Sequence, residues 1–420
     1  MTIAPVRTEI EMVRGLAREY AEAAGDASLE ERRQRWRDLH AFAMTRPPVQ
    51  VMGNGFHETQ MHTVAAEDPF LRGLEISLRY QLYQHSLGDD TVLKPYHLVH
   101  AVYADGGIPW GEGNTELWGV SLKVKSLAGG GRDFFHDVPL RSYADIAKLS
   151  LPDHAFDEEA TNERVYRAQD AIGDIIPVVV SRAPFYRNFH GDICSDLIKL
   201  RGQEQVLLDM YDAPAWLHEL LAFMRDGVLA DQLSGEAAGD LHAYDAYCQG
   251  EPYGGGCIEP SASDAPVLRS DLWGFGASQE FTMVSPAMFD EFMLAYQIPI
   301  LEKYGAVGYG CCEDLTAKIP LLRKIPNLKR IAVTPYANVA KCAEAIGNDY
   351  IISYRPNPTD MVSVGFDEDR IRRILRRDLL SLRDCHFDIT LKDVSTVGND
   401  PRRIPAWVRI AKEIIREMFE

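Results

Sequence analysis

Two thiols and a carboxylate stand side by side in Gly308-Tyr309-Gly310-Cys311-Cys312-Glu313, where a short apolar run ends. A thiolate is a good zinc ligand, and a carboxylate can complete a metal shell or act as an acid. Neighbouring cysteines rarely join in a disulfide, because the ring they close is strained. In an extended chain they point in different directions, so one of the two is expected to face a site. No Cys-x2-Cys or His-Glu-x2-His spacing supports zinc independently, and two small residues packed between a strand and a helix is the plain alternative. His57-Glu58 could supply a general base or a metal ligand. Lys392-Asp393 could anchor a carboxylate or a phosphate, or form an internal ion pair. Gly254-Gly255-Gly256 lacks the Walker or Rossmann spacing of a phosphate loop and reads as a loop. His242, inside an apolar run, reads as a core histidine.

These residues need elements to bring them together. Apolar positions near a 3.6-residue period predict helix over 6–45, with a break at Gly25-Asp26 and an end at Arg46-Pro47-Pro48. Eight short apolar runs follow, each leaving into a polar or Gly-rich loop: 49–52, 176–180, 241–244, 272–275, 306–309, 330–333, 350–353 and 387–391. Helical patterning between them, at 203–223, 286–304, 315–324, 339–346, 368–382 and 405–418, implies parallel pairing. Eight such units predict an α/β fold, a (β/α)8 TIM barrel. The N-terminal helical segment, 1–48, precedes a barrel over 49–420. A large insertion after the first strand, about 59–175, is expected to lie on the top face, with 117–124 extended and a loop at Gly129-Gly130-Gly131. Barrel chemistry sits where the strands end. That rule gathers His57, Glu58, Arg182, Gln279, Glu280, Cys311, Cys312, Glu313, Thr334, Arg355, Asn357, Lys392 and Asp393 at one mouth.

Composition narrows the function. Of 420 residues, 46% are hydrophobic and 25% charged, which marks a soluble globular protein. With 44 Lys and Arg against 62 Asp and Glu, the formal charge is −18 and argues against nucleic acid, whose binding rests on clustered cations. No run approaches the roughly 18 apolar residues of a membrane span, and the N-terminus lacks a signal-peptide core. The expectation is a cytoplasmic protein with no membrane contact. Seven scattered cysteines fit reduced, mostly buried thiols.

At these residues the chain resembles the uroporphyrinogen decarboxylase superfamily, in its uroporphyrinogen decarboxylase/cobalamin-independent methionine synthase-like branch. The resemblance runs through Arg35-Trp36-Arg37-Asp38-Leu39, His57-Glu58, Asp209-Met210-Tyr211-Asp212-Ala213-Pro214 and Asp271-Leu272-Trp273-Gly274. It continues in Ser278-Gln279-Glu280, Val284-Ser285-Pro286-Ala287-Met288, Tyr309 to Glu313, Ile325-Pro326-Asn327-Leu328, Arg355-Pro356-Asn357-Pro358 and Lys392 to Val397. It implies a TIM barrel and a corrinoid-dependent methyltransferase of O-demethylase type. Such an enzyme moves a methyl group from a small-molecule methyl donor, here expected to be a methoxylated aromatic compound, to a cobalt(I) corrinoid (cobalamin) on a partner protein. An acid or a Lewis-acid metal helps the oxygen leave. The resemblance suggests Glu280, Glu313 and His57 as catalytic residues. Glu58, Trp273, Gln279, Arg355, Asn357 and Lys392 would bind substrate, and Cys311, Cys312 and Asp393 would hold a metal, with Zn2+ the candidate. A homodimer is compatible with it. Zinc methyltransferases of the superfamily use a His-x-Cys pair and a later Cys, whereas Tyr309 replaces the His and the later position falls near Asp393. The decarboxylase's Arg-rich substrate loop is replaced by Gly53-Asn54-Gly55-Phe56-His57, which argues against porphyrinogen decarboxylation. A decarboxylase or lyase on other substrates, or a non-catalytic tetrapyrrole- or corrinoid-binding barrel, are the alternatives.

Overall fold

Runs of Val, Ile and Leu that are buried on both faces form parallel strands, because nothing along them alternates toward water. The computed structural model describes residues 3–43, 46–53, 58, 64–104, 116–123, 125–126, 132–133, 137–186, 192–242, 254, 266–363 and 365–420. Its main strands are β1 (Val49–Gly53), β2 (His97–His100), β3 (Val178–Ser181), β4 (Trp273–Gly276), β5 (Ala306–Tyr309), β6 (Leu328–Val333), β7 (Ile351–Tyr354) and β8 (Phe387–Val394). Six of them pair in the order β1-β8-β7-β6-β5-β4, and β2 pairs with β3. All of these pairings are parallel. The result is an α/β molecule with a curled half-barrel sheet and a separate parallel pair.

Two expectations change. Leu241 and His242 belong to no strand, and residues 243 and 244 lie outside the described residues. The missing strand is β2, hidden within the stretch expected to be an insertion. That stretch also holds the helices Pro69–Ser86 and Glu158–Ile172, so much of it is ordinary strand and helix. Two short antiparallel pairs, Glu116–Leu117 with Val120–Ser121 and Lys125–Ser126 with Arg132–Asp133, elaborate it among the described residues.

β1 shows why the sheet has an edge there. The Val49 and Val51 amides donate to the carboxylates of Asp90 (2.8 Å) and Asp89 (2.9 Å), and the Val51 carbonyl accepts from Gln84 Nε2 at 3.0 Å. Side chains thus satisfy backbone groups that a neighbouring strand would otherwise take. Asp90 is nearly fully buried and is also bound by Arg35.

The helices follow their sequence signals. Residues 6–45 resolve into Ile3–Ala24 and Ser28–His40, broken at Gly25. The expected helix over 203–223 is two, Gln203–Asp212 and Pro214–Ala238, because Pro214 starts a new one. Ser285 and Asn338 cap their helices by accepting from Met288 N and Lys341 N. The last helix, Arg403–Phe419, buries Ile404, Trp407, Ala411, Ile414 and Ile415 at helical spacing. Each large side chain buried this way contributes about 1.5–3 kcal/mol.

Candidate functional site

The site is built where β5 and β8 end. Gly310 takes φ +105°, and a Cβ there would fall 2.7 Å from Leu315 Cδ1 and 3.0 Å from the Ala332 Cβ. Only glycine suits both demands. The chain therefore leaves the strand geometry at Gly310, which overturns the expectation that the two thiols point apart. Cys311 Sγ and Cys312 Sγ lie 3.5 Å from each other, and Lys392 Nζ lies 3.6 Å from both.

A bulge supplies the other half. In the β1–β8 register Met52 faces Lys392 and Gly53 faces Val394, so Asp393 has no partner residue. Its φ is +58°, in the left-handed region that Asp tolerates better than most residues. The extra residue turns consecutive side chains to one side: Lys392 Nζ binds Asp393 Oδ2 at 2.9 Å, and Cys312 Sγ lies 3.7 Å from the same oxygen. Burial works to lower the Lys392 pKa, but Cys311 and Asp393 outweigh it and the net direction is up. The Cys312 thiol is pushed up, first by its hydrogen bond with Cys311 and then by burial.

The expected metal site does not fit this arrangement. Zinc needs thiolates at about 2.3 Å around an open centre, whereas the centre here faces a lysine ammonium. Among the described residues no group of three or more His, Cys, Asp and Glu side chains could hold a metal ion. Tyr309, at the position of the zinc enzymes' histidine, turns away. Its hydroxyl donates to Gln297 Oε1 at 2.6 Å, and burial pushes its pKa well up.

The other expected residues divide. Glu313 is buried, and its two oxygens accept from Ser278 N and Cys311 N, both at 2.8 Å, while its carbonyl accepts from Thr334 Oγ1. It clasps the ends of β4, β5 and β6. Arg355, also buried, donates to the Cys311 carbonyl at 2.6 Å, and burial lowers its pKa. Glu280 accepts from Ser195 Oγ (2.9 Å), Cys194 Sγ (3.2 Å) and Gln279 Nε2 (3.3 Å).

Four residues lie apart from the thiols or serve the loops. Glu58 accepts from Val397 N and Asn399 N, and its pKa is lowered by the Thr396 hydroxyl and these amides. Asn357 is exposed and caps the short helix Pro358–Met361. Trp273 begins β4 instead of ending it: its indole donates to the Gly254 carbonyl at 2.9 Å and its ring packs 5.3 Å from His40. That puts it at the opposite end of the strand from the thiols. Arg182 forms a two-pronged pair with Glu158. His57 lies outside the described residues.

The sequence reading passed over the loop after β3. Asp192 there carries a carboxyl held well above its usual range by burial, then by the charges of Glu280 and Asp196. Gln297 fixes that loop by donating to the Asp192 carbonyl (2.7 Å) and to the Ala277 carbonyl (2.8 Å). Cys194, next to it, is raised by burial and by Glu280. Place was the available signal, because Asp192-Ile193-Cys194-Ser195 lies where a helix opens after a strand end.

A cleft of about 920 Å3 opens at the same end of the sheet, lined by Thr282, Asp314, Thr316, Lys318 and Tyr336 among others. No helix among the described residues is long and apolar enough to cross a membrane.

No protein-family model and no curated protein sequence matches the chain. Among solved structures it is similar to a methyltransferase from Methanosarcina mazei, at 12% identity and a TM-score of 0.53. The likeness covers 93% of this chain and 99% of that one, and it is a likeness of fold.

Proposed function

We propose that this chain is the methyltransferase component of an O-demethylase and a member of the uroporphyrinogen decarboxylase superfamily. It takes a methyl group from a small methoxylated aromatic compound and passes it to a corrinoid on a partner protein. The observation that carries this reading is the convergence of Cys311, Cys312, Lys392 and Asp393 at the strand ends of a fold similar to a methyltransferase.

The chemistry asks for a strong nucleophile, which a reduced corrinoid supplies, and for help to a poor leaving oxygen. This chain's part is the second. Burial raises the Asp192 pKa and so favours its protonated form, the form that can donate to an oxygen. Glu280, bound by Ser195 and Cys194, is the neighbouring carboxylate that the reading assigns to the proton path. Glu313 and Arg355 hold the Cys311 backbone in place.

The test is incubation of the purified protein with a reduced corrinoid protein, or free reduced cobalamin, and a panel of methoxylated aromatics. Demethylated product together with methylated corrinoid is expected. Absence of both across the panel, with release of carbon dioxide from a carboxylated compound instead, would favour the lyase reading.

A further inference from the structure

Three groups that bind cations, the Cys311 and Cys312 sulfurs and the Asp393 carboxylate, surround one ammonium. Lys392 Nζ lies 3.6 Å from each sulfur and 2.9 Å from Asp393 Oδ2. The lysine side chain is buried, at 8% exposure, whereas Asp393 is exposed, so water reaches the carboxylate but little of the ammonium. We propose that Lys392 is a built-in cation in the place where a divalent metal would sit, and that this site therefore excludes zinc and works without it.

The geometry supports the exclusion in three ways. The two sulfurs, 3.5 Å apart, are close to the spacing that two thiolates adopt about a tetrahedral zinc, roughly 3.8 Å for bonds of about 2.3 Å. The sulfur pair is thus suitably spaced, and what differs is the occupant. A dication entering between them would meet the positive charge of the buried ammonium at close range. A second positive charge stands behind: the buried Arg355 guanidinium holds the Cys311 carbonyl at 2.6 Å. The bulge at Asp393 exists in the same place, and it is what lets Lys392 and Asp393 share one side of the strand end.

This inference deepens the proposed methyl transfer, because a fixed ammonium would stabilise negative charge growing on a leaving oxygen, as a Lewis acid otherwise does. In that step the carbon–oxygen bond breaks, its electron pair stays on the oxygen, and the methyl group bonds to the corrinoid nucleophile. The ammonium keeps its protons and its three contacts, and acts on that oxygen through its charge.

The experiment needs no substrate, so its outcome is separate from that of the methyl-transfer assay. The full-length protein is equilibrated with excess Zn2+ or Cd2+, desalted, and assayed by elemental analysis, by cadmium–thiolate absorption and by the rate of cysteine alkylation. Wild type should retain no stoichiometric metal, and Cys311 and Cys312 should alkylate at the same rate with and without metal. Lys392→Met should gain one equivalent of cadmium that shields both cysteines, and adding Cys311→Ser should abolish that gain. Lys392→Arg, which keeps the charge, should stay metal-free. One equivalent of zinc on wild type, with both thiols shielded, would overturn the proposal whatever the variants do. A folded Lys392→Met that binds no more metal than wild type would overturn it too.

Discussion

Glu280 and Glu313 look alike in the sequence, as carboxylates that follow strand ends, yet their surroundings separate them. Both oxygens of Glu313 face backbone amides inside the protein. Replacing it with Gln swaps one acceptor for a donor, so a buried N–H loses its partner and an amide group faces it. That costs about 1–3 kcal/mol, and a fall in thermal midpoint should report it. Glu280 accepts from side chains at a half-buried rim, where an amide can still accept. Glu280→Gln should leave the midpoint near wild type and lower methyl transfer by roughly 10²–10⁴-fold. The reverse pattern, a stability loss at Glu280 and a pure rate loss at Glu313, would exchange their roles. Such a distinction is not written in residue types. Which atoms a carboxylate meets depends on how β4 and β5 pair, and on Gly310 turning the Cys311 amide inward.

At the scale of elements, the sequence shows best what burial dictates. Seven of the eight apolar runs coincide with strands, because a strand covered on both faces must be apolar throughout. β2 was missed since histidines bracket its two apolar residues, His97-Leu98-Val99-His100. The run at Leu241 has the right composition but lacks a partner among the described strands. The bulge was invisible for a different reason: it is a mismatch of register between β1 and β8, and a single strand's sequence carries no register. It can be tested directly. Asp393→Val places a β-branched residue at φ +58° and should destabilise the protein by about 1–2 kcal/mol. Asp393→Gly removes the carboxylate but suits that conformation, so its stability should lie closer to wild type. If Val and Gly cost the same in urea unfolding, the backbone conformation is not what the residue supplies.

For the molecule as a whole, charge sets a pH dependence that the sequence alone states only as −18. Composition shows the excess of carboxylates but not which are buried. Asp231, on the helix Pro214–Ala238, is one of these: its Oδ2 accepts from Tyr186 N at 2.9 Å, and burial raises its pKa to about 6. Its unfolded value is 3.8. Between those two values the folded protein holds a proton that the unfolded chain has released. Folding is therefore opposed progressively as pH rises from about 4 to about 6, and above that the cost is constant. A two-unit shift corresponds to about 3 kcal/mol. Asp231→Asn keeps an oxygen for the Tyr186 amide and removes the titration. Its urea stability relative to wild type should therefore rise by about 2 kcal/mol between pH 4.5 and pH 7. Self-repulsion of the net negative charge acts in the same direction on both proteins, so it cancels in that difference. A difference that stays flat over this range would mean that the Asp231 carboxyl titrates in the folded protein as it does in the unfolded chain.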